Sequence, residues 1–375
     1  MTSPDVVVVG AGARGASIAY YLARAGVRVT LIEKGFLASG TSGANVGLVN
    51  VSGKGPEHYT AFSLLSAGMY PKLVADLDAP VDYQRDGNMQ VALTDAEAEQ
   101  LAKQAARQSA VPGVTVELLD ARRARELEPA MSPRVAAATY CAQDGNVDPM
   151  KLTLALGRAA RRHGAEVLYH REVTGIRLAA GRVAAAVTAE GEIPTGAIVD
   201  AAGIFVPRVA QMVGVSVPLL PQRGQVYHLE PLPAVMQRPV AGLRQFRSGT
   251  VMVGTTNEFV GFDRTVTYEA GSRNLDRARR IFPALARARV LRAWAGLRPM
   301  PPDGQPIYTA VREVPGFYVA VGHSGITLAP ITGQVFLDLI TTGGTSLPIG
   351  PYGLDRFTAA DHEWARQPVK GDARH

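Results

Sequence analysis

The chain has 375 residues, of which 47% are hydrophobic, and a net charge of +6. These values are typical of a globular protein large enough for two domains, and no apolar stretch is long enough to span a bilayer. The only cysteine is Cys141, which excludes an internal disulfide and any zinc or iron–sulfur site built from cysteines of this chain; we expect it to be a small buried residue.

The N-terminal segment has the pattern of a dinucleotide-binding unit. A strand-like valine run leads into the sequence GAGARG, which opens a helical pattern, and a second apolar run ends at Glu33. In such a unit Gly10 permits the tight turn, Gly12 lets the backbone approach a pyrophosphate, and Gly15 allows close helix–strand packing. The helix N-terminus offers N–H groups to phosphates, and Glu33 can accept hydrogen bonds from ribose hydroxyls. The unit predicts a bound dinucleotide and leaves nicotinamide and flavin open.

The rest of the chain alternates helical and strand-like patterns after a second glycine-rich segment, Thr41–Gly47. Helices are predicted at residues 59–77, 95–108, 149–163, 273–282 and 328–340. Strands are predicted at residues 166–169, 173–176, 182–188, 192–193, 197–203, 226–229, 251–253 and 317–321. Cofactor-type segments are thus interleaved with mainly antiparallel ones, so each of two domains should be discontinuous.

These patterns predict a fold of mixed class, α/β with α+β. It should comprise a Rossmann-like dinucleotide-binding domain and an interleaved, mainly antiparallel substrate-binding domain. We expect the first domain to contain residues 1–80, 145–218 and 290–365. The second should contain residues 81–144 and 219–289, and residues 366–375 should form a flexible tail.

Motifs in separate parts of the chain together resemble one family. After the N-terminal fingerprint, Asp200–Gly203 reads DAAG at the end of a predicted strand, and Gly322–Pro330 reads GHSGITLAP before the last predicted helix. This combination resembles the D-amino-acid-oxidase family of FAD enzymes, over nearly the whole chain from Val6 to about Ile340. Within that family, the similarity is to glycine and D-amino-acid oxidases and, most closely, to the flavin subunits of opine and D-hydroxyproline dehydrogenases, in segments 43–47, 53–56 and 221–225.

The resemblance implies that FAD is the bound dinucleotide, with its flavin ring along the second glycine-rich segment. The helix after Gly322–Leu328 would direct its positive end at the flavin pyrimidine ring, where negative charge builds on reduction. The residues expected to contact FAD are Gly10, Gly12, Ala13, Arg14, Gly15, Glu33, Lys34, Thr41, Ser42, Ala44, Asn45, Val46, Gly47, Leu48, Val173, Ala202, Gly203, Gly322, Ser324, Gly325, Ile326 and Thr327.

Arg298, in the sequence GLRP, is the main candidate for substrate binding. The resemblance implies that it pairs with a substrate carboxylate, which a planar guanidinium can hold through two hydrogen bonds. An arginine that only stabilises a domain interface is the alternative. Further candidates are His323 and Tyr227 for catalysis, and His58 and Arg244 for the substrate pocket. Neighbouring strand residues point to opposite faces, so Tyr227 and the histidine after it cannot both face the pocket.

The resemblance implies FAD-dependent oxidation of the C–N bond of a small amino acid, imino acid or secondary amine. Hydride would pass from Cα to flavin N5, and the imine would be hydrolysed. D-amino or D-imino acids such as D-hydroxyproline, or opines, are the favoured substrates, with oxygen, a quinone or a partner subunit as electron acceptor. Three alternatives stay open: the flavin subunit of a heteromeric dehydrogenase, an NAD-dependent dehydrogenase, and a non-catalytic flavin module. Each is compatible with a homo- or hetero-oligomer.

The remaining features set expectations about partners and location. Many arginines fall in helical patterns such as residues 158–162 and 277–280, which is typical of a solvated helix face, so we expect no nucleic-acid binding. The seven histidines lack ligand spacing, so we expect no metal site. The first predicted strand begins too early to leave room for a signal peptide, and we expect a cytoplasmic protein.

Overall fold

A computed structural model of the chain describes residues 3–366. The helices of this part are α1 (Ala13–Arg24), α2 (Glu57–Leu77), α3 (Asp95–Ser109), α4 (Ala121–Leu127), α5 (Pro149–Arg162), α6 (Val206–Gln211), α7 (Tyr268–Ile281), α8 (Ala329–Thr342) and α9 (Ala359–Arg366). The strands are β1 (Val6–Val9), β2 (Val29–Ile32), β3 (Leu48–Val49), β4 (Asn88–Ala92), β5 (Glu117–Asp120), β6 (Ala137–Cys141), β7 (Gly145–Asn146), β8 (Glu166–Leu168), β9 (Val173–Ala179), β10 (Arg182–Thr188), β11 (Gly191–Pro194), β12 (Ala197–Asp200), β13 (Leu220–Pro231), β14 (Leu243–Gln245), β15 (Thr250–Gly254), β16 (Val290–Met300), β17 (Ile307–Ala310) and β18 (Phe317–Val321). Each predicted helix and strand has an overlapping counterpart.

A six-stranded sheet organises the dinucleotide-binding part. Its order is β17-β18-β12-β1-β2-β8, and all neighbours are parallel except β17 and β18. The valines of β1 alternate between two cores: Val6 and Val8 pack with α1, α5 and α8, whereas Val7 and Val9 pack with the antiparallel sheet β9-β10-β11. Burial on both faces explains the unbroken apolar run.

The carboxyl ends of β1, β2 and β12 meet at one edge of this sheet. Gly10 follows β1 and donates to the carbonyl oxygen of Ile32 at 2.7 Å, and Glu33 follows β2. Ala201 follows β12 and donates to the carbonyl oxygen of Val9 at 2.9 Å. Ligands of open parallel sheets bind outside this edge, so the fold places the predicted dinucleotide site here.

A second sheet is antiparallel and has the order β14-β15-β13-β16. Two isolated bridges, between Met89 and Val240 and between Val240 and Leu243 of β14, link it to the antiparallel sheet β4-β6-β5. Helix α7 contributes Ala278 and Ile281 to the core beneath these strands. The combination of a parallel sheet with interleaved antiparallel sheets confirms the predicted fold class, which has a Rossmann-like part and an antiparallel part.

One predicted domain boundary needs correction. β16 starts at Val290 and pairs with β13 over nearly its whole length, so residues 290–300 belong with the antiparallel sheet rather than the dinucleotide-binding domain. The sequence of a strand does not show which of two sheets it joins, and this explains why residues 290–300 were assigned to the wrong domain. Of the predicted tail, Arg366 is the last residue of α9, and residues 367–375 lie outside the described part. Cys141 is buried, as expected.

Candidate active site

A cavity of about 850 Å³ lies between the carboxyl edge of the parallel sheet and strands β13 and β16. Its volume is at the upper end of the range for ligand sites, as a dinucleotide requires. All residues expected to contact FAD line this cavity except Gly15. The motifs that resemble the family therefore predicted a large part of the cavity wall.

The glycines of the fingerprint are required by close backbone contacts. A Cβ at Gly10 would lie 2.6 Å from the carbonyl oxygen of Ala201, and one at Gly15 would clash with the carbonyl oxygen of Gly10. Gly15 thus has the predicted packing role and no contact with the cavity. Helix α1 starts after Gly12 without a side-chain cap on that residue and without an acidic residue in its first turn. This helix start suits an anionic pyrophosphate.

Glu33 is held at the cavity wall by backbone donors. Its Oε2 accepts from the N–H of Ala11 and its Oε1 from the N–H of Gly35, both at 2.8 Å. Each carboxylate oxygen has a further lone pair, so the side chain can also accept from ribose hydroxyls. Fixing the carboxylate in this way matches its predicted role towards the dinucleotide.

The adenine end of the expected site contains side chains that sequence reasoning missed. Val173, at the start of β9, lines the cavity as expected. Beside it lie Phe205, Arg208 and Met212, from the helical turns that follow β12. The Nζ of Lys34 lies 3.2 Å from the centre of the Phe205 ring, a cation–π contact. The one sequence feature that could have indicated them is the DAAG segment, Asp200–Gly203, at the end of β12.

The segment Thr41–Leu48 is fixed by its own side chains and by Arg244. Asn45 donates to the carbonyl oxygens of residues 41 and 42, at 3.1 and 2.8 Å, and accepts from the N–H of Gly47 at 2.8 Å. Arg244 is fully buried and donates to the carbonyl oxygens of residues 46 and 147, at 3.1 and 2.6 Å. Arg244 therefore supports the cavity wall from behind, which corrects its predicted place in the substrate pocket.

The loop Gly322–Thr327 is tied to two helices. Arg14 of α1 donates to the carbonyl oxygens of residues 322 and 323, at 2.5 and 2.6 Å. Tyr70 and Ser66 of α2 donate to those of residues 326 and 327, at 2.5 and 2.7 Å. The Nε of Arg14 is buried and has no hydrogen-bond partner among the described residues. The unpartnered N–H of Arg14 and the glycines of this loop, Gly322 and Gly325, lie at the same cavity wall, and this arrangement fits a bound FAD.

Arg298 reaches the cavity from β16. Its Nη1 donates to Oε1 of Gln222 at 3.2 Å and to the carbonyl oxygen of Thr256 at 2.9 Å. No carboxylate lies within 4.0 Å of its guanidinium among residues 3–366. Gly224 leaves room for the group, because a Cβ there would lie 2.7 Å from Arg298 Cζ. Burial lowers the pKa of Arg298 to about 10, so it stays charged at neutral pH and can bind an anion.

His323 lies among cations. Burial, and then Lys54, Arg298 and Arg14, hold its pKa well below the usual value, so the ring is neutral at pH 7. Its Nδ1 lies 3.1 Å from Oγ of Ser324, and the Nζ of Lys54 lies 2.5 Å from the same oxygen. The sequence had singled out Lys54 only as part of a family-like segment, because nothing local to residue 54 indicates a cavity.

The other predicted site residues lie outside the cavity. Tyr227 is buried in the core under α7, where its hydroxyl donates to Oε1 of Gln225 at 3.0 Å. His228, the alternating neighbour, does not line the cavity either. His58 is exposed, and its Nε2 lies 2.6 Å from Oε1 of Gln305. Tyr227 and His58 are therefore corrected from site residues to structural ones.

Two further kinds of feature are absent from the described residues. No group of three or more His, Cys, Asp or Glu residues within 3–366 is placed to hold a metal ion. No helix in the same range is both long and apolar enough to cross a membrane.

Comparison with known proteins identifies the family. The family model described as FAD-dependent oxidoreductase, DAO, matches residues 5–339. One subunit of the opine oxidase of Agrobacterium tumefaciens (strain Ach5) is 32% identical over 96% of this chain and 99% of its own length. Among solved structures, glycine oxidase from Geobacillus kaustophilus has a TM-score of 0.90 at 28% identity, covering 95% of this chain and all of that one. Iminodiacetate oxidase from Chelativorans sp. BNC1 has a TM-score of 0.83 at 28% identity, with 93% and 98% covered.

These matches settle two alternatives that the sequence left open. The cofactor is FAD rather than a nicotinamide dinucleotide, and the chain is an enzyme rather than a passive flavin module. The match extends over both the parallel and the antiparallel sheet, as the resemblance noted from the motifs implied. The chain belongs to the DAO family of FAD-dependent oxidoreductases.

Proposed function

We propose that this enzyme oxidises the C–N bond of a small amino acid, imino acid or secondary amine whose carboxylate binds to Arg298. The proposal rests mainly on the position of the Arg298 guanidinium at the cavity wall. This group lines the cavity, donates from Nη1 to neutral acceptors and has no carboxylate within 4.0 Å among the described residues, with Glu258 attracting it only from farther away. A half-buried cation without a close counter-ion is unfavourable, and an anionic substrate relieves that penalty.

The residues of the cavity position the substrate. A carboxylate held by two hydrogen bonds from Arg298 has a fixed orientation, which sets the direction of the neighbouring Cα–H bond. Bound FAD would supply the chemistry by accepting the hydride from that carbon. The cations around His323 disfavour a substrate ammonium and so favour the neutral amine that oxidation needs. Neutral His323 can hydrogen-bond to the substrate without adding charge.

Relatives support the substrate class and one form of assembly. Two relatives are named for their substrates, opines and iminodiacetate, and these names favour a secondary amine as the substrate of this enzyme. D-amino and D-imino acids such as D-hydroxyproline remain within the proposal, since Arg298 would bind any of these carboxylates. The relative in Agrobacterium is one subunit of its enzyme, which supports a heteromeric dehydrogenase as a second form of the proposal. In a heteromeric dehydrogenase a partner chain would accept the electrons of the reduced flavin. In an enzyme without such a partner, oxygen or a quinone would accept them.

Anaerobic reduction of the bound flavin tests the proposal. The purified protein should carry FAD, and its visible absorbance should bleach on addition of one class in a panel of amino acids, imino acids, opines and simple amines. Amines that lack a carboxylate should bleach it far more slowly. Oxidised flavin after exposure to every member of the panel would refute the proposed substrate class. Reoxidation by oxygen, compared with an artificial dye, then separates an oxidase from a dehydrogenase.

A further inference from the structure

Lys54 is a cavity cation that the proposed reaction does not yet use. Its Nζ lies 2.5 Å from Oγ of Ser324, and both residues line the cavity. The backbone before it is fixed by Asp144, whose Oδ1 accepts from the N–H groups of Val51 and Ser52 at 2.6 and 2.9 Å. The hydroxyl of Ser52 also donates to Asp144. The lysine therefore projects from a rigid turn rather than a loose loop.

Lys54 forms no close ion pair with any described residue, although Asp144 attracts it from farther away. No carboxylate lies within 4.0 Å of its Nζ among the described residues, whereas Lys72 and Lys151 both have one. Burial lowers the pKa of Lys54 to about 8, with Asp144 raising it and Arg14 lowering it further. The Tyr59 ring, 5.7 Å away, is neutral in this range because burial raises its pKa to about 12.

Arg298 and Lys54 act on the same part of the cavity. Both line the cavity, and Lys54 contacts Oγ of Ser324, which lies 3.1 Å from Nδ1 of His323. Both cations also lower the pKa of His323. The third cation there, Arg14, lies in the first turn of α1, where the pyrophosphate is expected, and spends two donors on backbone carbonyls. A substrate with one carboxylate would compensate Arg298 and leave Lys54 without an anion.

We propose that Lys54 binds a second carboxylate of the substrate, so that the preferred substrates are secondary amines carrying two carboxylates, one on Arg298 and one on Lys54. This inference rests on the proposed function, because it concerns the same cavity and the same reaction. It narrows the substrate class to molecules of the iminodiacetate or opine type. The amine lies between the two carboxylates in such molecules, so both anchors help to orient the bond that is oxidised.

Two non-oxidisable probes test Lys54 directly on the FAD-loaded protein. Diglycolate is iminodiacetate with the amine replaced by an ether oxygen, and methoxyacetate is its counterpart with one carboxylate. Binding of either is measured from the change in flavin absorbance, without turnover. In Lys54→Met the Kd for diglycolate should rise roughly 10- to 100-fold, the loss expected for one charged hydrogen bond, while the Kd for methoxyacetate stays within about twofold. Lys54→Arg should retain most of the diglycolate affinity.

Arg264 supplies the matched control, because it also lines the cavity and, within residues 3–366, its side chain donates only to the carbonyl oxygen of Ala295, at 3.3 Å. Arg264→Met should leave the ratio of the two Kd values unchanged. The inference would be overturned if Lys54→Met raised the Kd of both probes equally or lost its FAD. It would also be overturned if Arg264→Met changed the ratio of the two Kd values as much as Lys54→Met does. Failure of the proposed function looks different: no amine would reduce the wild-type flavin, whatever the probes do.

Discussion

Replacing Arg298 by methionine should remove the carboxylate anchor while keeping much of the length of the side chain. Nη1 is engaged by Gln222 and Thr256, which leaves Nη2 and Nε for the substrate. Two charge-assisted hydrogen bonds at roughly 1.5–3 kcal/mol each sum to about 3–6 kcal/mol. At about 1.4 kcal/mol per factor of ten, kcat/KM for an amino-acid substrate should fall roughly 100- to 10,000-fold.

The assay compares each substrate with its decarboxylated analogue, for example proline with pyrrolidine or sarcosine with dimethylamine. Arg298→Met should abolish most of the preference for the carboxylate and change the slow reaction of the analogue little. Arg292→Met, an exposed arginine on the same strand, is the matched control and should keep the preference. An unchanged preference in Arg298→Met would refute the assignment of Arg298 as the anchor.

Other changes test separate parts of the site. Gly224→Ala should raise KM for carboxylate substrates, because the new Cβ displaces the Arg298 guanidinium. Gly68→Ala is the control, because a Cβ there has nothing within 4 Å and should leave KM unchanged. Equal KM values for the two variants would contradict the proposed contact between residue 224 and Arg298. Gly12→Val should yield a folded but colourless protein by circular dichroism and absorbance, since the side chain enters the pyrophosphate cradle; a yellow variant would show that the cradle is misplaced. Lys54 is charged below its pKa of about 8 and neutral above it, so the Kd for diglycolate should be flat at lower pH, rise at higher pH and level off near the value for Lys54→Met. In Lys54→Met that rise should be absent, and a rise of the same size would assign the titration to another group.

Local motifs predicted the cofactor side of the site because its contacts are made by short segments. Gly10 and Glu33 follow adjacent strands and are recognisable from the sequence of their own unit, although Gly10 also packs against Ala201. The loop after Gly322 is likewise recognisable from its own sequence, although residues of α1 and α2 hold it in place. The sequence motifs could therefore predict the Rossmann-like part and much of the cavity wall, whereas FAD was implied by the resemblance to the family.

The substrate side was less predictable because its residues are positioned by distant elements. Alternation in β13 separates two faces but does not say that α7 covers the face of Tyr227; a Cβ on Gly271 of α7 would lie 3.1 Å from that ring. Arg244 binds carbonyl groups 97 and 198 residues away in sequence. Lys54 becomes a cavity cation only because the loop at Ser324 folds against it, 270 residues later.

The measurement that tests the account most directly is anaerobic mixing of the FAD-loaded enzyme with iminodiacetate-type and single-carboxylate amines. The flavin band should bleach with carboxylate-bearing amines, and fastest with those carrying two carboxylates. Arg298→Met should lose the response to both, whereas Lys54→Met should lose only the advantage of the second carboxylate. A flavin that stays oxidised with every carboxylate-bearing amine would contradict the central claim.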